Sequence, residues 1–432
     1  MKKLLSLLAM TALITPIVAN VVSCGENEGS VNTNPLLIGK NIDKSKAIDD
    51  SMPGKFGLTN YYVVGDSLSD VDGITHLIDT KFSSQYLSLN VELGGAYGYT
   101  TEEGKHYNTF TNGPTAGSLL SEKLDFGEMK PSNWLSKKSE QNYGKNYSVG
   151  GATAAKIDLP TGLLLNDATV DKQTEALISQ HEIKNNDLVF FEIGGNDLFS
   201  LISFYGNEAK QVEFMNDSIY RIRTAFFNLL NNGVKNIIFM TPPRMDFVPR
   251  YQSVFEEAKS GNVSAQQHAD FILAICDEYY NKVINVLEEI EQYYPNQIKL
   301  YDMYKKADEL EAEFDEHVLK TTGKNSVKRK SYSNTLNFEV ELNGIKQNFE
   351  GYLNLDLLTN VKNIANQFKT DIEFGKQNIL NVKVMPTRDN EVTDEINNYF
   401  FTDIVHPTKK VHEMVSDILL EYAQEMSNLW KN

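Results

Sequence analysis

Short apolar runs alternate with longer stretches of helical periodicity along most of the chain. Residues 61–64 (YYVV) end at Gly65, 145–149 precede Gly150-Gly151, and 188–193 (LVFFEI) precede Gly194-Gly195. Residues 237–240 (IIFM) run into Thr241-Pro242-Pro243, and 298–301 (IKLY) into Asp302. Such runs predict strands buried on both faces. Helices are predicted over 114–124, 173–182, 214–231 and 265–294, the third stopped by Asn232-Gly233 and the fourth by Pro295. This βαβ rhythm predicts an α/β fold, a parallel five-stranded sheet with helices on both faces. Ligand sites in such sheets form at the carboxyl ends of the strands, where most of the turns just named lie.

From 308 to 395 the rhythm breaks. Residues 307–319 are acidic and helical in pattern, 335–342 (TLNFEVEL) alternate with period two, and Asn343-Gly344 offers a hairpin turn before 345–349. This stretch reads as an α+β insertion, a possible lid subdomain, within a main domain built from 58–307 and 396–432.

The first 24 residues are of a different kind. Lys2 and Lys3 precede a mostly apolar stretch over 4–22 that ends at Val21-Val22-Ser23-Cys24. This is the layout of a secretory signal, and its end resembles the lipobox of bacterial lipoproteins, in which the Cys is lipidated and becomes the first mature residue. A transmembrane anchor needs about 20 apolar residues, and Thr11, Thr15, Pro16 and Asn20 weaken that reading. The expectation is a signal peptide over 1–23, lipidation at Cys24, a polar flexible tether over 24–57 and a body held outside the cytoplasm on a membrane.

The chain has 432 residues and a net charge of −17. It lacks the basic footprint of a nucleic-acid binder, and Lys328-Arg329-Lys330 is too short to supply one. Two cysteines, Cys24 and Cys276, exclude a disulfide scaffold.

Four blocks carry chemistry. Gly65-Asp66-Ser67-Leu68 follows the first strand and presents Ser67 at its carboxyl end. Asp403-Ile404-Val405-His406 puts a carboxylate and an imidazole on one loop, the pair a serine hydroxyl needs to become a nucleophile. Asn146 to Thr153 (NYSVGGAT) allows a backbone N–H to approach a substrate oxygen at its glycines. Gly194-Gly195-Asn196-Asp197 offers a side-chain amide to the same oxygen. Each alone is a common turn.

In this order the four blocks resemble the SGNH or GDSL family of esterases and lipases, most closely its longer lipase, phospholipase and acyltransferase forms. Phe110-Thr111-Asn112-Gly113-Pro114 and the Thr241-Pro242-Pro243 turn belong to the resemblance, which spans roughly 58–305 and 397–425. It implies a three-layer α/β/α domain with a flavodoxin-like sheet, and a hydrolase acting on acyl esters, with neither cofactor nor metal. It further implies Ser67 as nucleophile, His406 as base and Asp403 as its orienter. The oxyanion would be held by the backbone N–H groups of Ser67 and Gly151 and the side chain of Asn196. A lipid or phospholipid ester is the expected substrate. A carbohydrate O-acetyl ester is the alternative within enzymes, and a non-catalytic surface lipoprotein or adhesin the alternative outside them. The insertion 308–395 and the spelling Arg244-Met245-Asp246 depart from the family pattern and bear on substrate choice. Asp66, Asp70 and Asp197 are expected to brace their turns, His412 to pack, and Cys276 to fill core space.

Overall fold

The computed structural model describes residues 34–429 apart from 84, 86, 133, 136–142, 159–161 and 352–376. The signal segment and Cys24 lie outside the described residues. In chain order the strands are β1 (Asn60–Val64), β2 (Leu87–Leu93), the short pair β3 (Tyr99–Thr100) and β4 (His106–Tyr107), β5 (Asp187–Glu192), β6 (Asn236–Met240) and β7 (Ile298–Tyr301). They continue with β8 (Val327–Ser331), β9 (Asn337–Leu342), β10 (Ile345–Glu350), β11 (Asn378–Met385) and β12 (Tyr399–Phe401).

The central sheet has the order β1-β5-β6-β7, and every pairing is parallel. Successive residues feed opposite layers, as the pleat requires. Tyr62, Val64, Val189, Phe191, Ile237 and Phe239 face one core, covered by the helices Gly73–Phe82, Val170–Gln180, Glu208–Asn231 and Val263–Tyr293. Tyr61, Val63, Leu188, Phe190, Ile238 and Met240 face the other, covered by Ala116–Lys123, Met303–Thr322 and Lys409–Leu429. This is the expected three-layer α/β/α arrangement.

The helix ends follow local chemistry. Asn207 accepts a hydrogen bond from Lys210 N at 3.2 Å, and Asn262 accepts from Ser264 N at 3.1 Å and Ala265 N at 3.2 Å. Gly233, at φ 105°, closes the first of these two helices.

Three expectations need correction. The fifth strand is reduced to a single parallel bridge between Val63 and Asn146. Residues 145–149 still flank β1, with Tyr147 N donating to Val63 O at 2.8 Å and Val149 N to Gly65 O at 3.2 Å. The outer side of Asn146 is taken by Lys130 O and Ser132 N, so no ladder extends there.

Residues 34–57, expected as part of a flexible tether, lie against the body. Asn231 donates to Pro35 O and Ile38 O, each at 2.8 Å, Ile38 and Ile42 pack on the core, and Ile48 bridges to His181. The apolar residues among the polar ones supply the contact.

The late insertion does not stand apart. Its hairpin β9–β10 turns at Asn343-Gly344, both at positive φ, as expected. The sheet order is β10-β9-β11-β2, so a strand from residues 87–93 closes it, running parallel to β11. Leu87, Leu89, Val91 and Leu93 alternate toward the helix side and join the main core together with Phe338, Val340, Val382 and Val384. Lys328-Arg329-Lys330 lies on β8, where Lys328 pairs with Asp315 and Arg329 with Asp308, each at 2.6 Å. No helix among the described residues is long and apolar enough to cross a membrane.

Candidate active site

Strand β1 ends at Gly65, where a Cβ would lie 2.2 Å from Glu192 Oε1, so only glycine fits between the two strand ends. Gln173 clamps this glycine, accepting from its N–H at 2.8 Å and donating to its carbonyl at 2.9 Å. The chain then turns, with Ser69 N and Asp70 N donating to Asp66 O at 3.2 and 3.0 Å. Ser67 sits within this turn.

The other half of the site comes from the loop between β12 and the last helix. Thr402 N donates to His406 O and Thr408 N to Phe400 O, each at 2.8 Å. Inside the loop, Asp403 Oδ1 accepts from Val405 N at 2.7 Å and His406 N at 2.6 Å, while Oδ2 faces His406 Nδ1 at 2.8 Å. His406 Nε2 lies 2.8 Å from Ser67 Oγ. All three side chains are buried, Ser67 the most open of them at 7% exposure.

Burial drives the Asp403 carboxyl toward protonation, but the adjacent His406, together with the hydrogen bonds from His406 and Tyr97, outweighs it and holds the pKa below the usual carboxylate range. An ionised Asp403 fixes Nδ1 as the protonated nitrogen and leaves Nε2 facing the serine hydroxyl. Phe110 stacks on the imidazole, with ring centroids 5.0 Å apart and 27° between planes.

Of the donors nominated from sequence, Asn196 lines the same cavity as Ser67. Gly151 has φ 79°, accessible to glycine, and neither its N–H nor that of Ser67 meets an acceptor among the described residues. The neighbouring Gly150 packs on Phe110, where a Cβ would be 2.3 Å from the ring. Asn196 is tied to the same loop, its amide donating to Ala152 O at 3.0 Å.

The acidic residues expected to brace turns do so. Asp70 accepts from Gly73 N, Ile74 N and Gly150 N, and Asp197 accepts from Ala154 N and Ala155 N at 2.9 Å each. Burial pushes Asp70 up to about 7, and Asp66 and Asp197 up to about 6. His412 accepts from Ala116 N at 3.2 Å, and burial lowers its pKa to about 3, so it is a neutral packing group. Cys276 is buried in the core.

Two residues escaped the sequence reading. Glu192 ends β5 behind the serine turn and accepts from Asp66 N at 2.8 Å; burial and the nearby Asp66 charge push its carboxyl well above the usual range. An acid inside the apolar run LVFFEI was the available signal. Tyr97 donates to Asp403 Oδ2, and nothing in its local sequence marks it.

A cavity of about 90 Å³, part of it open to solvent, begins at Ser67 and Asn196. It is lined by Leu68, Phe199, Met240, Phe247, Leu310, Phe400 and Val415, and is overwhelmingly apolar. No group of three or more His, Cys, Asp or Glu side chains that could hold a metal occurs among the described residues.

The buried Ser67, His406 and Asp403 side chains thus form one hydrogen-bonded array beside the carboxyl end of β1. Residues 61–419 match the family model described as GDSL-like Lipase/Acylhydrolase, and the chain belongs to that family. It is accordingly a carboxylic ester hydrolase. A comparison with curated proteins finds no match.

Proposed function

We propose that the protein cleaves long-chain acyl esters, of lipid or phospholipid type, by a Ser67–His406–Asp403 triad and an acyl-enzyme. Ser67 Oγ attacks the ester carbonyl as His406 Nε2 takes its proton. His406 then returns that proton to the leaving alcohol, and water, activated by the same nitrogen, releases the acid. Asp403 orients the imidazole and stabilises its charged form. The Ser67 and Gly151 N–H groups and the Asn196 amide stabilise the oxyanion; Asn196 swings from, or shares, its bond to Ala152 O. The body is carried on a membrane by lipidated Cys24, a reading supported by the lipobox-like spelling of residues 21–24.

The observation that carries the substrate class is the apolar cavity opening onto Ser67. An acetyl group would meet little of this apolar lining, whereas a longer acyl chain gains about 0.8 kcal/mol for each methylene it buries there. A series of p-nitrophenyl esters tests this. Rising kcat/KM from acetyl to longer chains supports the lipid reading, and a sharp acetyl preference would favour a carbohydrate O-acetyl esterase.

A further inference from the structure

We propose that Tyr97 is a positioning residue for the Asp403–His406 pair, and that the second sheet is the scaffold that delivers it. The proposal rests on the roles given above to Ser67, His406 and Asp403.

Tyr97 is 2% exposed, and its hydroxyl donates to Asp403 Oδ2, the oxygen that also faces His406 Nδ1. The hydroxyl oxygen lies 3.4 Å from that nitrogen, and the phenol ring meets the imidazole edge-on at 5.9 Å and 85°. With two backbone N–H groups on Oδ1, the carboxylate accepts four hydrogen bonds in all, which fills its capacity and fixes its rotation. Burial and the Asp403 charge push the phenol pKa well above its usual value, so Tyr97 stays a donor.

The second sheet holds Tyr97 there. β2 exits into Gly94-Gly95-Ala96-Tyr97, and the exit of β11 clasps that turn. Gly94 N donates to Val384 O at 2.9 Å and Gly95 N to Asp389 Oδ1 at 2.7 Å, while Lys383 holds the other Asp389 oxygen at 2.7 Å. Gly95 has φ 64°, and a Cβ there would lie 1.6 Å from Thr387 O, so the two turns meet closer than any side chain allows. Leu336 and Pro386 line a small cleft with Tyr97 and Asp403, and Ser333 N donates to Thr402 O at 3.0 Å. The described part of the insertion thus backs the triad acid from behind.

The phenol draws charge from Oδ2 and holds its orientation. Without it the carboxylate is a stronger partner for imidazolium but a looser one. Among the described residues, Asp66 from the turn after β1 and neutral His412 from the last helix also act electrostatically on His406.

The test is kcat/KM against pH for wild type, Tyr97→Phe, Asp389→Ala and Ser67→Ala, with thermal melts to establish folding. Tyr97→Phe is expected to lower kcat about tenfold and to move the acid limb of the profile to higher pH by about half a unit or more. Asp389→Ala, which frees the clasp, is expected to move it in the same direction by less. A purely structural role for the phenol would lower the melting temperature without moving the limb. A folded Tyr97→Phe enzyme with the wild-type rate and limb would overturn the proposal. If that variant does not fold, an unmoved limb in Asp389→Ala overturns it instead. Full activity in Ser67→Ala would instead sink the triad reading on which it rests.

Discussion

Ser67 Oγ and His406 Nε2 stand 2.8 Å apart although 339 positions separate them in the chain. The parallel sheet makes this possible: β1 delivers the serine at its carboxyl end, and the last helix anchors the histidine loop beside it. Contact of this kind costs loop-closure and side-chain entropy, which the buried layers on both sides of the sheet offset.

Asp403→Asn should leave the fold intact and lower kcat by about four orders of magnitude, because an amide no longer selects the productive tautomer of His406. Steady-state kinetics on a soluble ester measures this. A loss below tenfold would mean that Asp403 is not the orienting acid.

Asn196→Ala should lower kcat by about 10²–10³ with little change in KM. The lost bond to Ala152 O should cost stability on the order of 1 kcal/mol. Parallel denaturant titrations separate the two effects, and a change in stability without a change in kcat would remove Asn196 from the oxyanion site.

Filling the cavity should change chain-length preference. Val415 lines it from the last helix. Val415→Phe should reduce kcat/KM for long acyl chains about tenfold or more while sparing acetyl esters, since each displaced methylene is worth a severalfold effect. Equal losses for all chain lengths would place the acyl chain elsewhere.

Stability should fall as pH rises from about 5 to 7.5. Burial holds Asp66 and Asp197 at about 6 and Asp70 at about 7, all above the ordinary value of 3.8. Over that window the folded state therefore binds more protons than the unfolded chain, and raising the pH favours unfolding. His412, lowered to about 3, acts in the opposite direction below its ordinary value of 6.5, but it is one group against these three and the raised Glu192. A melting temperature that is flat or rising from pH 5 to 7.5 would contradict this.

The central strands were legible because continuous apolar runs such as YYVV and IIFM suit only a sheet covered on both faces. The meeting of Ser67 with the Asp403–His406 loop could be anticipated because a serine nucleophile would demand those residue types at a strand end. The segment 145–149 was overread, since its outer neighbour is an irregular stretch that cannot continue the ladder. β2 was missed although LSLNVEL alternates cleanly, because its parallel partner β11 lies 291 positions away from it at Asn90 and Asn381. Tyr97 could not be read from sequence at all, since its role depends on where two distant turns meet.

The most direct measurement is labelling of the protein with a fluorophosphonate, followed by peptide mass spectrometry. The account predicts one stoichiometric adduct on Ser67, lost in Ser67→Ala and strongly slowed in His406→Ala. An active enzyme that resists the reagent, or an adduct on any other serine, would contradict it.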